Sequence, residues 1–296
     1  MIWIPITVAA AAFQVARNAA QRSIMGGAGP WGATLVRFLF GLPFATAFAA
    51  VAWISTTGAV AHPVPWFWLC CAAGAAAQMG ATAAQLVAMH RSTFALGTAM
   101  QQSGLPFALV WGALLFGDRI SALTWSGGLV ASAGLAILTW PRGEVVMRRG
   151  AVLAGLGSGA LFAFSANCFR QASLTFDPAH PAASAFVTVM IVQALQTVVL
   201  TSFLAVRDPS ALKAVAAAWR QSLGAGFCGA AASGLWFTAM TLTPVGAVRA
   251  VGVVEMPIAA IAGNRLFAER FTVLQIVAGL ITAVGVVMAA LGQISP

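Results

Sequence analysis

From Trp3 onward, apolar runs follow one another with only short breaks between them, and this pattern constrains the fold more than any motif does. Each run is close to the ~20 helical residues that cross a hydrocarbon core of ~30 Å. Only 7% of the 296 residues are charged, and the mean hydropathy is +0.92. No soluble domain of this length tolerates such a composition on a water-facing surface. The runs are rich in Ala, Leu and Gly and show no period-two alternation, so they are read as helices, not barrel strands. The first run has no basic segment before Ile2. Its second half carries Gln14, Arg17, Asn18 and Gln21 where a leader would carry a small-residue cleavage site, which makes it a permanent span.

Ten spans are predicted, near 3–23, 31–53, 65–89, 93–115, 121–140, 150–172, 181–205, 218–240, 246–266 and 272–292. Breakers separate them: GGAGP at 26–30, HPVP at 62–65, WPRG at 140–143, DPAHP at 177–181, RDPS at 207–210 and TPVG at 243–246. The chain also repeats itself. At an offset of 151, residues 94–140 overlie 245–291, and the register places Pro106 on Pro257, Leu115-Phe116 on Leu266-Phe267, Asp118-Arg119 on Glu269-Arg270 and Gly134 on Gly285. The same offset pairs Pro30 with Pro181 and Ala88-Met89 with Ala239-Met240. An offset of 149 pairs Phe13 with Phe162 and Asn18 with Asn167. The expected fold is therefore an all-α integral membrane protein. Its halves, 1–140 and 150–292, each hold five spans and are joined by 141–149.

An odd number of spans per half means that the second copy starts from the opposite side of the membrane. Such inverted repeats are typical of transporters, in which solute sits between the halves near the midplane and access alternates. Pro106 and Pro257 each remove a backbone donor inside a span, and Gly104 and Gly252 flank them, so spans 4 and 9 are expected to bend as hinges.

The run Pro30-Trp-Gly-Ala-Thr-Leu-Val-Arg37-Phe38, the turn Leu115-Phe116-Gly117-Asp118-Arg119 and its second copy Leu266-Phe267-Ala268-Glu269-Arg270 resemble the EamA family of the drug/metabolite transporter superfamily. Within it the chain is similar to the bacterial amino-acid exporters of the YddG type. The resemblance implies a basket in which spans 1–4 and 6–9 line a central cavity and spans 5 and 10 lie outside it. It also implies export of small metabolites by alternating access with no bound cofactor. The chain departs from the family in carrying no arginine at 54–64.

The net charge of +9 is read as membrane orientation and not as a nucleic-acid partner. Odd-numbered connections hold Arg22, Arg91, Arg142, Arg148, Arg149, Arg207, Lys213, Arg220, Arg265 and Arg270, whereas the even-numbered ones hold Arg119 and Arg170. The positive-inside rule then puts both termini outside the cytoplasm. The preference for arginine over lysine points to GC-rich coding and a bacterial inner membrane. The expected partners are the lipid bilayer and a small-molecule solute, and the expected state is a monomer.

Candidate solute contacts come from polar groups in apolar helices. Gln14, Asn18 and Gln21 recur at helical spacing, as do Gln78, Thr82 and Gln85, giving spans 1 and 3 one polar face each. Gln101, Gln102 and Ser103 in span 4, Ser165 and Asn167 in span 6, and Gln193 and Gln196 in span 7 extend the pattern. Such faces either hydrogen-bond between helices or line a solute path. Arg17 and Arg37 are deep in their spans, whereas Arg249 lies near a helix start and is expected to snorkel. Glu255 is the mid-span carboxylate. It is read either as the partner of Arg37 or Arg17, or as the contact for a substrate ammonium or a proton. Trp111, Trp236, Phe164, Phe237, Met79 and Met256 are expected to form an apolar wall. Together with the glutamines this wall suits neutral and aromatic amino acids.

Cys70, Cys71, Cys168 and Cys228 lie in apolar runs without metal-ligand spacing and are read as core residues, so no metal site is expected. Efflux of lipophilic cations, the alternative within transport, asks for an uncompensated carboxylate in the cavity. Intramembrane catalysis asks for paired acids or histidines at depth, yet His62, His90 and His180 all fall in connections, so no enzyme is expected.

Overall fold

The computed structural model describes residues 2–101, 103–117, 121–139, 149–267 and 272–294. Gln102, the turns Asp118-Arg119 and Glu269-Arg270, and 141–148 of the joining segment lie outside the described residues. The described chain is helical, with no strand. Its helices are α1 (Trp3–Leu39), α2 (Leu42–Ile54), α3 (Pro65–Arg91), α4 (Phe94–Gln101), α5 (Gly104–Leu115), α6 (Ala122–Thr139), α7 (Arg149–Phe176), α8 (Pro181–Arg207), α9 (Pro209–Ala217), α10 (Trp219–Leu242), α11 (Val245–Val251), α12 (Glu255–Phe267) and α13 (Val273–Ile294). Six segments are long and apolar enough to cross a membrane: Gly26–Ile54, Pro65–Arg91, Arg149–Phe176, Pro181–Arg207, Trp219–Leu242 and Val245–Leu266. Gly104–Leu115 and Val273–Ala289 are shorter apolar helices.

The distribution of side chains is that of a membrane protein. Val206, Leu129 and Leu153 are 81%, 71% and 70% exposed, while Arg17, Gln21 and Gln196 are at 0%. Apolar groups face outward toward lipid, and polar groups are withdrawn into the bundle.

The predicted break at 26–30 takes an unexpected form, because α1 runs through it. Only Gly29 leaves helical geometry, at φ 65° and ψ 178°, a conformation that glycine adopts without a Cβ clash, and Pro30 follows it with no N–H to donate. Gln21 Nε2 nevertheless reaches the Ala33 carbonyl at 2.7 Å. Those residues would stand ~18 Å apart along a straight helix, so the chain folds back at Gly29. Ile24 and Ala28 on one arm and Leu35, Val36 and Phe38 on the other share one apolar cluster with Ala211 and Val215 of α9. That short helix lies in a stretch read from sequence as plain connection. Asp208 caps it by accepting from Ala211 N at 3.1 Å, and Pro209 occupies its first position.

Spans 4 and 9 are interrupted as their prolines predict. Between α4 and α5, Ser103 keeps helical dihedrals but bonds in 3-10 fashion, its N–H donating to the Met100 carbonyl at 3.1 Å, and a 3-10 turn at Gly252–Val254 separates α11 from α12. A proline ring clashes with the carbonyl four residues before it. For Pro257 that is residue 253, inside the 3-10 turn.

The main packing pairs are α3 on α7, α1 on α10, α6 on α13 and α2 on α8, with α4 against α12 and α5 against α11. Helices α6 and α13 approach at glycines: a Cβ at Gly134 would stand 2.6 Å from Thr282 N, so no larger residue fits without parting them. The largest apolar cluster joins α3, α7, α8 and α10 and includes Phe67, Cys70, Cys71, Cys168, Phe169, Phe176 and Phe237. All four cysteines are free, and Cys228 is half-buried. Beside the cluster, Asp177 in the α7–α8 connection is buried and ties down the 55–64 loop by accepting from Val60 N at 2.9 Å.

Candidate functional site

The interrupted helices meet α1, α3, α7 and α10 around a cavity of about 30 Å³. Its lining is Gln14, Arg37, Gln78, Gln101, Phe162, Ser165, Ala166, Phe169, Ser233, Trp236, Phe237, Met240 and Arg249. That volume holds a water or two, well short of the hundreds of Å³ in which a small molecule is bound. The site is closed.

Each wall can be traced to local sequence. On α1, Gln14 Nε2 donates to Glu255 Oε1 in a short contact. One turn further on, the buried Arg17 donates from Nε and Nη2 to Asn18 Oδ1 at 3.1 and 2.5 Å. Past the fold-back, Arg37 donates from Nη1 to Thr82 Oγ1 on α3 at 3.1 Å and from Nη2 to Ser233 Oγ on α10 at 3.0 Å. Gly229, one turn before Ser233, leaves room for both stems, because a Cβ there would stand 3.1 Å from Arg37 Cγ and 3.4 Å from Arg17 Cδ.

The polar face of α3 is committed throughout. Thr82 Oγ1 also donates to the Gln78 carbonyl at 2.9 Å. Gln78 Oε1 accepts from Gln196 Nε2 of α8 at 2.9 Å, and Gln85 donates to Gln101 Oε1 at the end of α4 in a short contact. These faces tie helices together, and Gln14, Gln78 and Gln101 also face the cavity. On the apolar side, Phe169 and Phe237 stack with centroids 4.7 Å apart.

The break in span 9 places two charges by helix electrostatics. Arg249 falls in the last turn of α11 and Glu255 in the first turn of α12. The carbonyl end of one segment favours the cation, and the N–H end of the next favours the carboxylate. Arg249 does not snorkel, which corrects the sequence expectation. Its guanidinium lies over the Trp236 ring at 5.4 Å and faces the cavity. Its span is bent and packed against α1 and α13, so the route outward is closed and the indole face offers a better surface. Glu255 is 1% exposed, and its charge acts on both Arg17 and Arg249. Arg37 is held by hydroxyls, not by this carboxylate.

Of the predicted contacts, Gln14, Arg37, Gln78, Gln101, Ser165, Trp236 and Phe237 line the cavity. Asn18, Thr82, Gln85 and Glu255 stand behind them as partners of lining or buried side chains. Three are placed elsewhere. Met79 packs with Leu35 and Phe38, because it is rotated ~100° from Gln78 on the same helix. Met256 is likewise rotated from Glu255 and opens, with Pro257, on an outer apolar groove beside Gly279 and Leu280. Phe164 packs edge-on against Trp111 at 5.8 Å. Missed from sequence were Phe162, Phe169, Ser233 and Met240. The one available signal for Ser233 was its place a turn after Gly229 in a helix of small residues.

No family model matches the chain, and no curated protein matches it. One solved structure, described only as the crystal structure of a protein, superposes over 99% of this chain and 97% of its own with a TM-score of 0.57. The two sequences are 16% identical, so the likeness is one of fold alone.

Proposed function

We propose that the chain is a membrane transporter that exports small metabolites, amino acids and related carboxylates first among them, by alternating access. One observation carries the reading: arginine, glutamine and serine side chains surround a narrow cavity between α1, α3, α4, α7, α10 and α11, inside a bundle whose outward faces are apolar. Polar groups at that depth are costly unless they serve a path for solute or water. Lining cations disfavour lipophilic cations as cargo. Arg37 and Arg249 are the ionisable side chains of the lining, which is a poor set for acid–base catalysis.

The neighbour pairs support a two-fold relation between residues 1–140 and 150–292. Exchange each helix for its counterpart in the other half, and the packing of α3 on α7 becomes that of α10 on α1. The pairs α2–α8 and α6–α13 map onto themselves, as do the interrupted helices. Five spans per half then place the axis in the membrane plane, as alternating access by rocking of inverted repeats requires. The motifs quoted above make EamA-like the proposed family. Glu255 is one carboxylate without a relay of acids and histidines around the cavity, so transport is read as running down the solute gradient.

Counterflow in proteoliposomes tests the proposal. Labelled amino acids are expected to accumulate in vesicles preloaded with the same solute, with severalfold slower exchange by Gln78→Ala, Gln101→Ala and Trp236→Ala. Exchange no faster than that of empty liposomes, across a panel of neutral, acidic and basic solutes, would remove transport as the function.

A further inference from the structure

The cavity's hydrogen-bonding groups are unbalanced. Several lining groups are already engaged: Gln14 Nε2 by Glu255, Gln78 Oε1 by Gln196, Gln101 Oε1 by Gln85 and the Ser233 hydroxyl by Arg37. Ser165 gives its proton to the Phe162 carbonyl at 2.9 Å. Three lining residues keep a buried polar atom without a partner, at Arg37 Nε, Trp236 Nε1 and Arg249 Nε, and all three atoms are N–H donors. Arg17 Nη1 and Asn18 Nδ2, behind them, are donors of the same kind. The orphaned acceptors of the bundle belong to residues outside the lining, such as Gln21, Gln193 and Gln196.

Charge has the same bias. The buried Arg17 and Arg37 and the half-buried Arg249 share the region, among the described residues, with one carboxylate, Glu255. The groups that grip Arg37 are hydroxyls, which orient it without neutralising it. A desolvated cation with a donor unused is stabilised by an acceptor that carries negative charge.

We infer that the cavity takes the anionic oxygens of a small organic acid with net negative charge, received by Arg37, Arg249 and Trp236 Nε1. A carboxylate or a phosphate meets the need equally. The ammonium of a neutral amino acid finds the like charges of Arg37 and Arg249, which an uncharged acceptor such as Gln14 Oε1 does not offset, so acids take the place of the neutral and aromatic solutes expected from the glutamines. The inference rests on the transport reading and narrows its cargo. Entry of such a solute requires the cavity to widen, and Trp236 is placed to feel it: a Cβ on Gly252, inside the break of span 9, would stand 2.6 Å from its ring.

The test is counterflow with labelled aspartate, succinate, inorganic phosphate, phenylalanine and lysine in proteoliposomes holding the full-length protein. Acids are expected to exchange more than tenfold faster than phenylalanine or lysine. Arg37→Gln and Arg249→Gln should each slow the acids at least tenfold, and Arg249→Lys should restore part of the rate. Aspartate and succinate without phosphate would assign the site to carboxylates, and phosphate alone to phosphoesters; either result supports the inference. Phenylalanine or lysine exchanging as fast as the acids overturns it while leaving transport intact, as do glutamine variants that melt like wild type and still exchange acids at full rate. Should no solute exchange, transport itself falls, and thermal melting of the detergent-solubilised wild type decides the binding inference. Stabilisation by succinate or phosphate but not by lysine supports it, and the absence of such stabilisation overturns it.

Discussion

Gln14 and Asp177 show how single side chains hold buried charge at opposite kinds of site. Gln14 donates to Glu255 inside the bundle, where both side chains are buried. Gln14→Leu keeps the bulk and deletes the donor, so it is expected to destabilise the protein by about 1–3 kcal/mol. Much of that loss should return in the Gln14→Leu/Glu255→Gln double variant, as read from thermal unfolding in detergent. Asp177 sits in a connection, where the Val60 N–H first, and then His180 Nδ1 at 3.0 Å and the Ala179 N–H at 3.1 Å, hold its carboxyl below the ordinary 3.8. A carboxyl depressed in the folded state adds stability that is complete above the unfolded value and is lost as pH falls through the folded one. Asp177→Asn is therefore expected to melt below wild type at pH 7, with the two curves converging as the pH drops below about 4. A gap that stayed constant down to pH 3 would assign the effect to packing alone.

At the scale of elements, the interrupted helices carry the mechanism. The 3-10 turn at Gly252–Val254 lies where the Pro257 ring crowds the preceding turn, and Arg249 and Glu255 stand on either side of it. Pro257→Ala restores a backbone donor and removes the clash, so it should leave the melting temperature unchanged or raise it. If the break is the hinge of access, the same variant slows counterflow severalfold, and Pro106→Ala does likewise in the first half. Exchange at the wild-type rate in both would mean that the bends shape the cavity without moving. The fold-back at Gly29 is another such element. Its glycine and proline are plain in the sequence, yet helical hydrogen bonding runs up to the apex on both sides, which only the approach of Gln21 to Ala33 reveals as a reversal.

For the whole molecule, orientation follows from where the cations fall along the chain. With basic residues concentrated in odd-numbered connections, an alkaline phosphatase reporter fused after Pro296 is expected to be active, and inactivity would place the C-terminus in the cytoplasm. The membrane character and the helical class were legible in the residues, because hydropathy over ~20 positions and the chemistry of glycine and proline act locally. So was much of the site, since a glutamine in an apolar helix must face inward. Which inward groups converge was decided by tertiary packing. Arg249 turned toward Trp236 because its span is bent and closed in by neighbours, while Met79 and Met256 rotated away from the cavity that their adjacent residues serve. The phase of a helix about its axis, and the partner a long side chain finds, depend on elements distant in the chain, and no local pattern encodes them.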